Sequence, residues 1–579
     1  MFKRFPHILA KNNKNEMPTR VLFFDTETDN VKINEKETEL VLKYGVACYK
    51  RLDQKNVSDE YKDFENISEF WNFVFSKLKS KTTLYVVAHN LPFDFRIVKG
   101  FAEMTVRGLI QEKLIFEGTT NIFSFRLKDK KLVFIDNMNF FKVPLEVLGN
   151  NVGLKKLNIQ SDDLKIYCKR DVEIMVKAWE LYMDFLKKGN LGNFAMTIAG
   201  QAFNAFRHRF MFSQIYIHNN AEIIKDERNA YHGGRTECFR IGNFKGKFYM
   251  YDFNSMYPSV MKNLEYPTRY ISTIYGTFTK RELKNLLKDY CLIADCIVKT
   301  NNPIFPTKEN NKLIFPVGTF NTVLSTREIE YAINNNLLVK IRKVNLYKKA
   351  KLFSNYVDFF FERKQYYKEN NNESFSYLCK LFLNSLYGKF GQRNKFYEPV
   401  NLKLPDGHYF DTVNFITYRT INGRTEKLVG LREGIDSFVA IPAHITADAR
   451  MKLWELIERA GLSHAYYCDT DSLITDRKLK TSKELGEISL KGESDEISIY
   501  GNKDYIFNGD EVIKGISKKA VRLSNNSFSQ VQFEGMAGAI RNNRLNSVVI
   551  RQIVKKLNRK YDKGIIKGTK INPFTLNRV

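Results

Sequence analysis

The chain has no Cys-x-x-Cys pair. Its seven cysteines (Cys48, Cys168, Cys238, Cys291, Cys296, Cys379 and Cys468) are odd in number and scattered, which excludes a disulfide scaffold or a zinc ribbon and fits a reducing compartment. Nowhere is there a run of about 18 apolar residues, the length a membrane-crossing helix needs. The basic stretch from Met1 to Arg20 lacks the apolar centre of a secretion signal. There is no internal repeat and no low-complexity tract beyond Asn-rich patches such as residues 369–372, which read as loop tips. A soluble, intracellular protein is expected. Negative charge is also scarce: 64 Asp and Glu face 92 Lys and Arg, leaving +28 over 579 residues. That surplus points to an extended polyanion as partner, nucleic acid ahead of an acidic membrane. The 43% hydrophobic and 14% aromatic content excludes a disordered basic tail, and the length allows several domains.

The first third carries acids at the ends of apolar runs. Val21 to Phe24 reads as a buried strand that delivers Asp25, Thr26, Glu27 and Thr28 at its end. Strand alternation puts Asp25 and Glu27 on one face, close enough to share a cation. A second run, Leu84 to Ala88, leads into His89, Asn90, Leu91, Pro92, Phe93 and Asp94, with Pro92 suited to the first turn of a helix. The span Asp162 to Leu186 has helical periodicity and sets Tyr167 and Asp171 four apart, on one face. Asp25, Glu27, Asp94 and Asp171 could together hold two Mg²⁺ or Mn²⁺ ions for phosphodiester hydrolysis, with Tyr167 orienting the water.

A second acid set follows. Lys247 to Tyr251 reads as a strand ending at Asp252, with Tyr257 and Pro258 at a strand-to-helix corner. Ala465 to Thr475 reads as a hairpin whose tip is Asp469, Thr470 and Asp471. Acids flanked by apolar and aromatic residues repel unless a cation sits among them. Between the two lies Lys364-Gln-Tyr-Tyr-Lys368 and then Lys380, Asn384 and Tyr387 at helical spacing, a face with a cation for a triphosphate and a ring for a base or sugar. Gly242 to Phe248 looks superficially like a phosphate loop, but its spacing is one residue short and no Ser or Thr follows Lys247, so it reads as a turn before the Asp252 strand.

In this order the motifs resemble family B DNA polymerases: three Exo motifs (Asp25 and Glu27; Asn90 and Asp94; Tyr167 and Asp171), then motif A (Asp252 to Pro258), motif B (Lys380 to Gly388) and motif C (Tyr467 to Ser472). The resemblance implies that Thr28, His89, Asn90 and Phe93 hold a single-stranded 3′ end and that Lys155 or Lys156 serves the exonuclease. It implies that Asp252, Asp471 and the Phe253 carbonyl bind two Mg²⁺ or Mn²⁺ ions with Asp469 close by. Tyr257 would exclude a ribose 2′-OH, Lys368 and Lys380 would hold the triphosphate of a dNTP, and Asn384 and Tyr387 would pack on that nucleotide.

Three further motifs resemble the protein-primed, phi29-like phage group. Tyr231, Gly233 and Gly234 match Tyr-x-Gly-Gly, implied to bind template; Thr446 and Arg450 match a primer-template motif; Lys503 and Tyr505 match Lys-x-Tyr, implied to hold the primer terminus. Arg235 after the Gly pair and the motif A interior Phe253-Asn-Ser-Met depart from the group's commoner residues. The implied fold is α/β and multi-domain: an RNase H-like 3′-5′ exonuclease domain (1–195), then a right-hand polymerase with palm (196–264 and 437–522), fingers (353–392) and thumb (523–579), carrying two terminal-protein-region insertions (265–352 and 393–436). The implied partners are primer-template and single-stranded DNA, dNTPs and a terminal protein, in a monomer that pairs with that protein at initiation in the cytoplasm of a bacterial host. A primer-dependent or self-priming polymerase and a catalytically silent nucleic-acid clamp are the alternatives.

Overall fold

The computed structural model describes residues 4–54, 57–118, 120–158, 163–411, 414 and 416–578. Asp162, where the Asp171 helix was expected to start, lies outside them. The helix is described over Leu164–Lys188, capped by the Asp163 side chain, which accepts from the Lys165 N–H.

Near the N-terminus, strand Arg20–Lys32 lies between Glu37–Arg51, antiparallel, and Thr83–Ala88, parallel; Lys130–Asp136 continues the parallel run. Strands in such a position are covered on both faces and therefore read as unbroken apolar runs. Val21, Leu22, Phe23 and Phe24 are fully buried. Helix Leu164–Lys188 covers one face, with Trp179 edge-on to Phe23 at 5.7 Å. Phe70 and Trp71 of helix Ile67–Lys77 cover the other.

A second sheet occupies the centre. Strand Gly242–Phe253 runs between Ser472–Thr475 and Ile488–Gly501. The stretch expected to be a turn before the Asp252 strand is part of the strand itself: Gly242 to Lys245 pair with Ile499 to Glu496, and the ladder resumes at Phe248 after a bulge. Gly246 sits in that bulge at φ +142°, where a side chain would be strained, so a glycine cluster marks the irregularity and not a chain reversal. Helices Ser354–Glu369 and Glu373–Phe390 form an antiparallel pair with Phe360 stacked on Phe382 at 4.5 Å.

The two long inserts are built of strands. The first contributes Tyr266–Tyr275, Tyr290–Thr300, Val317–Ser325 and Leu338–Ala350 to one sheet, with capping boxes opening both of its helices, Thr279 with Glu282 and Ser325 with Glu328. The second is a four-stranded antiparallel sheet between Arg393 and Glu433.

The C-terminal segment does not stand apart. Strand Val548–Lys556 pairs with Glu37–Arg51, so Ser527–Phe533 and Val521–Ser524 extend the N-terminal sheet, and Thr575–Arg578 adds to the sheet of the first insert. Arg96 fastens the first junction. Its guanidinium is wholly buried and donates to the carbonyls of Glu534 (2.6 Å) and Ser547, with the Glu534 carboxylate 3.9 Å away. Glu534 also pairs with Arg551, which pairs in turn with Glu37. Replacing Arg96 by Met leaves the Glu534 and Ser547 carbonyls without their donor while the Glu534 carboxylate keeps Arg551, and is expected to cost about 1–3 kcal/mol, the penalty of buried groups left unpaired; chemical unfolding and faster proteolysis of the C-terminal segment check it.

Helix Ala440–Ala460 runs behind the central sheet with Asp448 almost fully buried, accepting from the Tyr266 hydroxyl at 3.1 Å. Burial pushes the Asp448 carboxyl up to about 7 from 3.8. Across that window the unfolded chain gives up the proton while the folded chain keeps it, so this group makes stability fall as pH rises, then level off. D448N is expected to match the native chain below about pH 4 and to exceed it near pH 8 by up to a few kcal/mol, read from unfolding curves at both pH values.

Candidate functional site

Two separate groups of carboxylates emerge from these sheets. In the N-terminal body, Asp25 and Glu27 project from one strand face with Thr26 buried between them. The register against Glu37–Arg51 slips between Glu27 and Thr28, a bulge that turns Thr28 relative to the pleat. Asp94 lies in helix Leu91–Ile97 with Pro92 in its first turn. One of its oxygens accepts from the Thr26 N–H at 3.2 Å and the Thr26 hydroxyl at 2.7 Å, so the strand bearing the first two acids also holds the third. Asp171, four residues after Tyr167, is met by the Lys156 ammonium, which also lies 4.5 Å over the Tyr167 ring. The backbone carbonyl of Lys155 accepts from Arg170 instead. Of the two lysines left open above, Lys156 is therefore the one at the acids.

Electrostatics in this group are unfavourable without a cation. Burial, then Asp94, Asp171 and Glu27, push Asp25 well above the usual carboxylate range. Burial and then Asp171 raise Glu27 to about 6. Burial raises Asp94 against its Thr26 hydrogen bonds, and raises Asp171 against Lys156. The second oxygen of Asp171 is buried with no hydrogen-bond partner. Crowded oxygen donors, one of them orphaned, fit a hard divalent cation.

Around these acids, Asn90 adopts a left-handed conformation (φ 72°) at the helix start, and its N–H donates to Asp136 at 3.0 Å. His89 shares a 3.0 Å hydrogen bond with Asn137, and burial lowers its pKa to about 4, so the ring is neutral at pH 7. Phe93 packs on Phe533 from the C-terminal segment at 5.9 Å. Asp136 was not singled out from sequence, although it too is an acid at the end of an apolar run, Leu132 to Ile135. Cys168 was likewise passed over.

In the central sheet, Asp252 pairs with Ser472, and the Phe253 N–H donates to the Asp471 carbonyl at 2.9 Å, which brings strand end and hairpin tip together. Burial and then Asp252 push Asp471 up to about 6; burial raises Asp252 against Lys491, 3.5 Å away, and against Lys380 and Lys364. Asp469 differs. Its carboxylate accepts from the hydroxyls of Thr236 (3.0 Å), Thr470 (3.1 Å) and Tyr467 (3.3 Å) and pairs with Lys503 at 3.3 Å. Asp252 and Asp471 are the acids left to face an ion.

Lys364 donates to the Ser255 hydroxyl at 2.9 Å, while Lys368, one turn on, is exposed. Lys364 and Lys491 are thus charges at Asp252 that sequence reading missed: Lys364 stood in the noted run but was passed over for Lys368, and Lys491 sits on a polar edge with no motif. Lys380 and Asn384 are exposed on helix Glu373–Phe390, and Tyr387 stacks on Tyr257 at 5.2 Å with the rings 3° from parallel. Gly234 lies beneath them: a Cβ there would meet Thr470 at 2.9 Å and the Tyr257 hydroxyl at 3.0 Å. Tyr231 packs against Gly391, and Gly233 faces open space. Tyr505 packs on Tyr467 at 5.2 Å, and the Lys503 N–H donates to the Tyr467 oxygen.

Two residues expected at the primer-template are placed otherwise. Arg450 is 3% exposed and donates to the carbonyls of His232 (2.9 Å) and Gly233 (3.2 Å) and to Glu328 (2.8 Å). Thr446 is 2% exposed and donates to the Ala443 carbonyl. The motif's spacing on helix Ala440–Ala460 aims both inward, and Arg450 supports the Gly233-Gly234 backbone in place of a phosphate. Arg235 is buried too, paired with Glu237 and lying 4.2 Å over the Phe315 ring.

Residues 149–406 match the family described as DNA polymerase type B, organellar and viral. The DNA-directed DNA polymerase of Enterobacteria phage PRD1 is 28% identical over 344 residues, 56% of this chain and 57% of that protein. A DNA polymerase of Kluyveromyces lactis is 22% identical over 381 residues, 59% of this chain and 37% of that one. These two matches thus span less than two thirds of the relatives' lengths. The DNA polymerase of Bacillus phage phi29 is 24% identical over 536 residues, 83% of this chain and 86% of that one. In fold, the chain is similar to phi29 DNA polymerase complexed with primer-template DNA and incoming nucleotide substrates, with a TM-score of 0.65 and 18% identity over 94% of this chain and 100% of that one. With the two acid groups in their order along the sequence, the chain is thus similar in sequence to type B DNA polymerases over part of its length and has the fold of phi29 DNA polymerase.

Proposed function

We propose that the chain is a DNA-directed DNA polymerase with a 3′-5′ proofreading exonuclease, which replicates a linear phage or plasmid-like genome from a terminal-protein primer, with strand displacement, in its host's cytoplasm. The observation that carries the reading is the meeting of Asp252 and Asp471 near Lys364, Lys380 and Lys491, apart from a second group in which Asp25 and Glu27 of the N-terminal sheet meet Asp94 and Asp171 from two helices.

Two Mg²⁺ or Mn²⁺ ions in each group would lower the pKa of the attacking oxygen and neutralise the leaving one. Asp252, Asp471 and the Phe253 carbonyl would hold them in the central sheet; Asp25, Glu27, Asp94 and Asp171 would do so in the N-terminal one. The side chains do little covalent work: they position and they supply charge. Lys364 and Lys380 lie where a dNTP triphosphate needs cations, Lys368 is exposed one turn further out, and the Tyr257–Tyr387 stack forms a wall for base and sugar. Gly234 lets that wall approach the Asp469–Asp471 turn, and Lys503 and Tyr505 flank the same turn from the side assigned to the primer end. In the nuclease, Lys156 fixes Asp171 and Tyr167 together, so the hydroxyl that orients water stays beside the acid. His89, Asn90, Phe93 and Thr28 border these acids and suit a frayed 3′ end.

The domain layout proposed is exonuclease (1–195), palm, fingers and thumb with two terminal-protein regions. The second insert supports a ring around DNA: Asn422 donates to the Phe101 carbonyl at 3.2 Å, Arg424 donates to the Gln111 carbonyl at 3.0 Å, and strand Gly407–Asp411 lies against helix Met536–Arg541 of the C-terminal segment.

D252N or D471N is expected to lower primer extension by on the order of 10³-fold or more while nuclease activity on single-stranded DNA persists, and D25N or D171N to do the reverse; extension by D252N at the native rate would sink the assignment. Protein priming has its own test. Labelled dNTP, a linear genome end and the cognate terminal protein should yield a covalent protein–nucleotide adduct that needs Asp252 and Asp471. Normal extension of a DNA primer without any adduct would favour the primer-dependent alternative.

A further inference from the structure

Strand Ile488–Gly501 carries a lysine that its ladder does not use. The strand runs antiparallel to Gly242–Phe253 with Leu490 opposite Tyr251 and Gly492 opposite Met250, so Lys491 is the extra residue of a bulge between them. Bulges of this kind re-aim side chains. Here the half-exposed Lys491 ammonium comes to 3.5 Å from a carboxylate oxygen of Asp252, its one ion-pair partner among the described residues. An exposed pair adds little to stability, so folding alone does not account for a bulge that delivers a cation to this acid.

A second observation concerns what faces Lys491. Lys364 and Lys380, from helices Ser354–Glu369 and Glu373–Phe390, act on Asp252 as Lys491 does. Lys364 donates to the Ser255 hydroxyl at 2.9 Å, and its pKa is lowered by burial and then by Lys380, Lys368 and Lys491. Ammoniums from a sheet and two helices thus converge on one acid and repel one another. Ions held by Asp252 and Asp471 would occupy those carboxylates and leave the lysines to a polyanion. The primer end has its own lysine, Lys503, beside Asp469. Lysine is a point charge on a flexible stem, able to leave a carboxylate for a phosphate by rotation about its own bonds.

We propose that Lys491 is a triphosphate-binding residue of the polymerase site: in the empty site it neutralises Asp252, and on nucleotide arrival it releases that carboxylate and grips the β- and γ-phosphates. The inference rests on the polymerase reading above and adds to it a cation carried by the central sheet, facing those on the helices. The primer oxygen bonds the α-phosphorus, and the bond from that phosphorus to the bridging oxygen breaks, its electron pair leaving with pyrophosphate. The primer hydroxyl's proton passes to solvent. Lys491 keeps its own proton throughout and holds the departing pyrophosphate, so the same contact serves the reverse reaction.

The test compares the full native chain with K491M, which keeps the stem, and K491R, which keeps the charge, with folding checked by thermal unfolding. Binding of the next correct dNTP is measured at equilibrium on a primer-template whose primer ends in a dideoxynucleotide, so that no chemistry follows. K491M is expected to bind dNTP at least about 10-fold more weakly, as loss of a charge-assisted hydrogen bond does, while K491R stays within about threefold of the native chain. The pyrophosphate concentration that half-saturates the reverse reaction on an unblocked primer should rise by a similar factor in K491M. Unchanged binding of dNTP and pyrophosphate by K491M overturns the proposal. So does an equal loss in K491R, which marks a packing role, or a loss confined to primer-template affinity, which puts Lys491 on the DNA backbone. A native chain that neither extends a primer nor binds dNTP defeats the polymerase reading and this proposal with it. One that does both while K491M matches it defeats this proposal alone.

Discussion

Repulsion among buried carboxylates is the constraint from which the rest of this molecule follows. An acid in a low-dielectric interior is costly to ionise, and a second acid nearby raises the cost further. The chain does not spread that cost evenly. Asp469 is met by three hydroxyls and Lys503. Asp25, Asp94 and Asp471 are left high, Asp94 in spite of two hydrogen bonds from Thr26, and Asp171 keeps an orphaned oxygen. The satisfied acid belongs to the wall, and the raised ones mark where positive charge is favourable. Strand ends suit both jobs, because a ladder fixes the backbone up to the last residue while the next side chain is free to leave the sheet.

The same constraint explains the lysines. Each acid group has an ammonium at its margin, Lys156 on Asp171 and Lys491 on Asp252. Lys364 is turned aside onto Ser255, whose own left-handed φ of 58° marks the corner between the Asp252 strand and the Tyr257 helix. The +28 surplus is therefore not only a surface field for a polyanion. Part of it is drawn inward to hold acids in readiness.

The acids were legible from sequence because apolar run followed by acid is a local pattern, and both strands and the hairpin lie where that pattern puts them. Lys156 could not be told from Lys155 by spacing, since only the fold decides which lysine of an adjacent pair faces Asp171. Arg450 was misread for a related reason. A motif shared with DNA-contacting helices gives residue identity but not which side of the helix is covered, and here Glu328 from the first insert covers it. The Gly242 to Phe248 stretch was read as a reversal because glycine marks bulges and turns alike.

Least legible of all was the joining of the two ends of the chain. Strand Val548–Lys556 opens on buried Val548 and Val549, but its apolar residues do not say which distant strand they join, and its pairing with residues 37–40 is set by the fold. Yet this pairing has a consequence for the acids. Arg96 lies two residues after Asp94 in the same short helix, and its guanidinium is spent on carbonyls of the C-terminal segment, whose Phe533 packs on Phe93. A helix of seven residues has little stability of its own. Its position is set by what grips it from each side, Thr26 through Asp94 and the C-terminal segment through Arg96. The two grips lie within one turn, so the placement of Asp94 depends on the C-terminal segment as well as on the strand that bears Asp25 and Glu27.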